Sequence, residues 1–421
     1  MRKFEYPELG EVLYQQELPN GLRVMVVPRP GFSRKLAYFV TDFGAIHRNF
    51  RLDGQEVHAP AGIAHFLEHK MFELPDRDVT AEFAALGGNV NAFTSYDMTA
   101  YYVSCTEHFS ENLRLLLEFV STPYFPEESV QREMGIIDQE IGMNADTPET
   151  RIFEQLTETM YRKHPLRVPI LGSSDSIRCI TPETLHACHK AFYTPGNMIL
   201  CVVGDVDPEE VADLAREVLG DEKRPVGEKL RDWEEDMTCS GNVRCQMEVA
   251  MPTFLLGFKS ESTGRGEEAI RQEIIGDLAC EILFGESSAL YLKLYNEGLI
   301  DGSFGGGFET VDGGSLITCG GDSEDPEAVR AAILERAREL VKEGIPEDDF
   351  LRLKRSAMGR RVRDLDSFDS TCFRLCAYHF SDFDYFRFPG IYAGITADEV
   401  LAFLAQTVTP QRCALSVIAP L

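Results

Sequence analysis

In Ala64-His65-Phe66-Leu67-Glu68-His69-Lys70, two histidines stand four residues apart. On a helix that spacing puts them one above the other, so both imidazoles reach a single point. Glu68, three after His65 and next to His69, can touch a water held at the same point. The order H-x-x-E-H is the inverted form of the zinc-binding helix of metallopeptidases. A hydrolytic zinc takes three protein ligands and keeps one position open. The motif offers two ligands and a candidate base, so the third ligand must come from elsewhere in the chain. An amphipathic helix whose histidines make ordinary hydrogen bonds is the alternative that the motif alone leaves open.

Outward from the motif, the N-terminal side is strand-like. Residues 11–29 alternate apolar and polar around a Pro19-Asn20-Gly21 turn, which predicts a hairpin, and Leu36–Val40 predicts a further strand. On the C-terminal side, Val79–Leu86 has helical spacing closed by Gly87-Gly88. Asn89–Tyr96 and Thr99–Val103 read as two strands around Tyr96-Asp97-Met98, and the small, polar first run suits an edge that pairs with an extended peptide. A plain structural hairpin fits the same pattern. Helices are expected over 108–121 and again from Glu127, after the break at Pro123–Pro126. The second of these carries Glu133 and Glu140 seven apart on one face, compatible with one acid lining a metal pocket and the other standing behind it. His164–Gly172 reads as a loop. His186 and His189, on a helix opened by Thr181-Pro182, lack a flanking ligand cluster and read as ordinary surface or core side chains.

The 421 residues exceed one core and suggest two or more domains. A net charge of −28 argues against nucleic acid and anionic membrane as partners. The start, Met1–Glu8, has no apolar run of secretory length, and no stretch approaches a spanning helix. Eleven cysteines without a C-x-x-C pair fit reduced thiols, so a cytoplasmic setting is expected.

The chain also repeats itself. Ile180-Thr181-Pro182-Glu183, Thr194-Pro195 and Ile199–Gly204 recur 215 residues later as Ile395-Thr396-Ala397-Asp398, Thr409-Pro410 and Ala414–Ala419. Phe125-Pro126-Glu127 is echoed by Ile345-Pro346-Glu347. The fold class expected is therefore α+β, with two homologous halves in tandem, each an antiparallel-rich sheet packed with helices. The halves are placed at 1–225 and 242–421 around a linker at 226–241. The same shift carries the motif onto Cys280–Phe284, where no ligand pattern survives, so only the first half is expected to hold a metal.

His65-x-x-Glu68-His69, the Asn91-Ala92-Phe93-Thr94-Ser95 strand, and Glu133 with Glu140 together resemble the insulinase/pitrilysin family of zinc peptidases, in its half-length, processing-peptidase-like form. The resemblance runs over essentially the whole chain. It implies a Zn2+ held by His65, His69 and Glu140, with Glu68 as base and Glu133 supporting the catalytic site from behind. It also implies substrate binding along Asn91, Ala92, Phe93 and Thr94. One segment departs from the family. Its catalytic members carry an Arg and a Tyr seven apart in the second half, whereas here Tyr295 falls at the Arg position and Asp301 near the Tyr position. The implied function is a zinc endopeptidase subunit acting on peptides or unfolded segments inside a two-chain clamshell chamber. A homologous subunit would supply the missing pair; a heterodimer is favoured, and a homodimer remains open through Tyr291 or Tyr295. A peptide-binding subunit with a vestigial zinc site, and a leader-peptide processing factor, are the competing expectations.

Overall fold

The computed structural model describes residues 1–231, 234, 236–239, 241–262 and 264–421. Its first sheet has seven strands: Arg2–Tyr6 (β1), Glu11–Glu17 (β2), Arg23–Pro28 (β3), Lys35–Thr41 (β4), Asn89–Thr94 (β5), Thr99–Cys105 (β6) and Met198–Gly204 (β7). They lie in the order β1-β2-β3-β7-β4-β6-β5, antiparallel except for the parallel pair β3–β7. The second sheet has five: Gly241–Met247 (β8), Thr253–Ser260 (β9), Gly305–Val311 (β10), Gly314–Asp322 (β11) and Cys413–Pro420 (β12). Its order, β8-β12-β9-β11-β10 with only β8–β12 parallel, repeats the last five strands of the first sheet one for one. The internal repeat of the sequence is thus a repeat of topology. The chain is α+β with two related halves in tandem.

The helices that matter for the site are Ile63–Met71 (α1), Val79–Ala85 (α2), Phe109–Ser121 (α3), Glu127–Ala145 (α4) and Pro148–Met160 (α5). Pro182–Phe192 (α6) follows in the first half; Glu267–Phe284 (α7), Ala289–Asn296 (α8), Glu347–Arg363 (α9), Phe368–Phe380 (α10) and Ala397–Thr407 (α11) lie in the second. The repeated Thr181 and Thr396 cap α6 and α11 in the same way, each side chain accepting from the backbone N–H three residues on. Pro126 and Pro346 likewise precede α4 and α9.

The halves are knitted together by an exchange that the sequence pattern does not announce. α5 leaves the first half and lies on β8, β9 and β12 of the second sheet. α10 does the reverse and lies on β4 and β7 of the first. Leu156, Met160 and Tyr161 bury against Leu316 and Ala414. Gly257, bare on β9, makes room there, since a Cβ would stand 2.3 Å from Met160 Sδ. On the other side, Cys201 and Val203 share a core with Cys372 and Cys376. A division at 226–241 therefore separates sheets and not packing. That stretch does more than link: Glu228–Lys229 pairs with Asn49–Leu52 as a small antiparallel ladder, and β8 already begins at Gly241. Residues 232, 233, 235 and 240 of the stretch lie outside the described residues.

Candidate metal centre at the edge of the first sheet

α1 begins where it does because of Gly62. Its φ of 89° is a left-handed value that favours glycine, and a Cβ there would come within 2.4 Å of the Leu171 carbonyl oxygen. From this start, Ile63, Ala64, Phe66, Leu67 and Met71 face the core between the first sheet and its helices. His65, Glu68 and His69 are left on the side toward β5 and α4, both of which pack against α1. The position of α4 is set by a polar cluster at its first turn, built on the buried Lys70 and Ser129 with the partly exposed Glu73. Lys70, fully buried, donates to Glu73 Oε2 at 2.5 Å and to Ser129 Oγ, and Ser129 in turn donates to Glu73. This ties the end of α1 to the start of α4, and so sets how far along α4 the two acids sit relative to the histidines.

Glu140 then lies opposite both imidazoles. His65 Nε2 is 3.6 Å from Glu140 Oε1, and His69 Nε2 is 3.7 Å from Oε2. These separations are too long for hydrogen bonds. They suit three donors of a tetrahedral metal site, where bonds of 2.0–2.1 Å put neighbouring donors about 3.4 Å apart. One donor atom from each of His65, His69 and Glu140 lies within 4.8 Å of the others, the single such cluster of three among the described residues. Glu133 stands behind, its Oε1 2.9 Å from His69 Nδ1. With Nδ1 donating to this carboxylate, the neutral ring carries its lone pair on Nε2, the nitrogen that faces Glu140. His65 Nδ1 is buried and has no hydrogen-bond partner among the described residues. The donor set, two imidazoles and a carboxylate with one imidazole already oriented, fits zinc.

The electrostatics agree with a site for a cation. Burial, helped by the neighbouring His69, pushes the His65 imidazole down to about 3, so it stays neutral and able to ligate. Burial also opposes a charge on His69, but the hydrogen bond and charge of Glu133, with Glu68 and Glu140, outweigh it and raise His69. Glu68 is raised by burial, against the pull of its hydrogen bond from Thr94 and the nearby His69. A carboxylate of raised basicity is what a proton acceptor needs.

Among the residues expected to meet substrate, β5 is an outer strand of its sheet, one side of it unpaired by any strand among the described residues. Asn91 is exposed, and Ala92 packs toward the α1 side. Phe93 faces the other way, 5.9 Å from the half-exposed ring of Phe373 on α10. The Thr94 hydroxyl donates to Glu68 Oε2 at 2.6 Å, which leaves the strand's backbone edge available to an extended peptide. Tyr295, on α8, is exposed and stacked on Tyr291 at 6.0 Å. Asp301 accepts from the Ser303 backbone and hydroxyl at 2.8 and 2.6 Å, a local turn contact. His189 is buried and reaches the Val120 carbonyl, as expected of a core side chain. The contacts of Lys70 with Glu73 and Ser129 leave no local mark in the sequence beyond a lysine near the end of the motif helix.

Comparison with known proteins agrees along the whole chain. A family model described as "Insulinase (Peptidase family M16)" matches residues 54–174, and one described as "Peptidase M16 inactive domain" matches 180–357. The uncharacterised zinc protease YmfH of Bacillus subtilis is 35% identical over 429 residues, covering 100% of this chain and 99% of that protein. The chain belongs to the insulinase (M16) family. A crystal structure of an M16-like peptidase from Alicyclobacillus acidocaldarius matches with a TM-score of 0.94 at 33% identity, covering 99% of this chain and 100% of that one. A protease from Helicobacter pylori, at 19% identity and a TM-score of 0.82, shares the fold. Within the family the chain is zinc-protease-like, and its relatives' names imply zinc.

The contact between Glu133 and His69 yields a first prediction. Glu133→Ala is expected to weaken zinc binding about 10- to 100-fold, the usual cost of losing the partner behind a ligating imidazole. Competition against a chromophoric chelator measures it.

Proposed function

We propose that this chain is the metal-bearing subunit of a zinc endopeptidase that hydrolyses peptides or unfolded segments. The observation that carries the proposal is the triangle of donors from His65, His69 and Glu140 with Glu68 at its side. When bound, zinc supplies a Lewis acid that acidifies water and polarises a carbonyl. Glu68 takes a proton from the attacking water and passes it to the leaving amine. Glu133 holds His69 in the tautomer that leaves Nε2 free to ligate. The outer edge of β5, through its backbone around Asn91 to Thr94, aligns an extended peptide beside Glu68 by strand addition. A purely structural metal site needs no base, and the buried Glu68 favours catalysis over a vestigial role.

The segment that matches the family's Arg and Tyr, the pair that stabilises the negative charge developing on the substrate carbonyl, carries neither at the matching positions. Tyr295 and Asp301 occupy the family's Arg and Tyr region, and Asp301 would repel that charge. We infer that a homologous, zinc-less subunit supplies the pair and closes the chamber. The eleven cysteines, all free thiols, support a reducing, cytoplasmic setting for the pair. On a quenched fluorescent peptide library, the chain co-purified with its nearest homologue from the same genome is expected to show zinc-dependent turnover. The chain alone is expected to show less than about one hundredth of that rate, the usual cost of a missing oxyanion donor. Full turnover by the isolated chain would remove the need for a second type of subunit.

A further inference from the structure

We propose that Thr94 is a positioning residue: its hydroxyl holds the Glu68 carboxylate by one oxygen and leaves the other to receive the proton. The inference rests on the peptidase reading above, and deepens it. The geometry is specific. Thr94 Oγ1 donates to Glu68 Oε2 at 2.6 Å, the short distance of a hydroxyl bonded to a charged acceptor. Glu68 is itself buried, so this bond takes the place of a water that would otherwise solvate the oxygen.

The sheet fixes where the hydroxyl stands. Thr94 is the last residue of β5, in register with Thr99 of β6, and β6 is locked between β5 and β4. Alternation along β5 sends Ala92 and Thr94 toward α1 and Phe93 toward Phe373. The strand that offers its outer backbone to a peptide therefore also aims one side chain at the base. A shift of the strand that misplaced the peptide would release the base as well. A carboxylate on a helix with no such tether can rotate about χ3 and present either oxygen or neither. The hydroxyl of Thr94 removes that freedom before the substrate arrives.

Thr94→Val keeps the branched shape and strand preference and deletes only the donor. The test uses the chain co-purified with its homologous partner, with wild type, Thr94→Val, Thr94→Ser and Glu68→Gln assayed on one quenched fluorescent peptide. Thr94→Val is expected to lower kcat about 10- to 100-fold, the loss of one hydrogen bond to a charged group, with KM within about twofold. Thr94→Ser, which restores the donor, is expected to recover kcat to within about threefold of wild type. Zinc content and melting temperature should match wild type in both. A crystal structure of Thr94→Val is expected to show the Glu68 carboxylate turned from its wild-type position. An unchanged kcat in Thr94→Val refutes the role and leaves the peptidase reading intact. A raised KM at unchanged kcat makes Thr94 a substrate contact instead, and loss of zinc makes it a structural one; both overturn the proposal. If the wild-type pair shows no zinc-dependent turnover that Glu68→Gln removes, the peptidase reading fails and this role falls with it.

Discussion

Glu68→Gln is expected to bind zinc at the wild-type stoichiometry and to lose peptide turnover by on the order of 10³-fold, within the range for removal of a general base. The substitution is nearly isosteric. Glu68 is buried, and the Gln amide oxygen can still accept from Thr94 Oγ1, so neither packing nor the tether is lost. What disappears is the ability to take a proton. The proposed ligands His65, His69 and Glu140 are untouched, and Glu133 still contacts His69. Retained zinc with lost turnover therefore separates base chemistry from metal binding. Turnover within tenfold of wild type would reject Glu68 as the base and return the chain to the binding-subunit reading. The measurement is steady-state hydrolysis by the assembled pair, alongside metal content by mass spectrometry.

Glu234→Leu is expected to cost about 3–5 kcal/mol of stability, the price of stranding a buried charge. Glu234 and Lys259 face each other at 3.1 Å with side chains 3% and 1% exposed. The carboxylate also accepts from the backbone N–H groups of Arg162, Lys163 and His164, just past the end of α5. The ammonium donates further to the carbonyls of Met160 and Asp236. One ion pair thus joins the segment between the sheets, the exchanged helix α5 and strand β9. Leucine at 234 leaves the ammonium without its counter-charge and three N–H groups without acceptors. Adding Lys259→Met removes the stranded charge and is expected to recover part of the loss. Urea unfolding of the three variants measures both effects.

The same pair dictates an acid dependence. Burial by itself would raise the Glu234 carboxyl, but the backbone donors of Lys163 and His164, with Lys259 and Arg162, outweigh it and hold it at about 2. Its ordinary value is 4.5. A carboxyl depressed on folding stabilises fully above the ordinary value and loses that contribution as the pH falls toward and through the folded value. The stability gap between wild type and Glu234→Leu should therefore be largest above pH 4.5 and narrow as the pH is lowered toward 2. A gap that stays constant over that window would place the contribution in packing instead of charge.

The site was legible in the sequence to different depths. His65 and His69 could be paired by helical spacing alone, because a helix repeats every 3.6 residues and the motif spans one turn. Glu133 and Glu140 shared a face for the same reason, but nothing local could say which acid faces both Nε2 atoms and which stands behind His69. That depends on the register of α4 against α1, which is set by Lys70, Glu73 and Ser129 meeting in a polar cluster. Alternation gives β5 two faces, and only its packing on α1 decides that the face carrying Thr94 meets Glu68. The repeat foretold two matching sheets, since hydrophobic runs and caps recur at a fixed shift, but gave no sign that α5 and α10 change places.

The sequence by itself determined the local elements, the doubled α+β plan and the half that carries the candidate metal site, because caps, periodicities and the H-x-x-E-H spacing act over a few residues. The tertiary structure alone decided the exchange of α5 and α10, the Glu234–Lys259 pair and the tether from Thr94 to Glu68. Each of these joins groups that packing brings together from separate elements. In every case a buried polar or apolar surface found the partner that lowered its free energy, and no pattern within one segment records which partner that is.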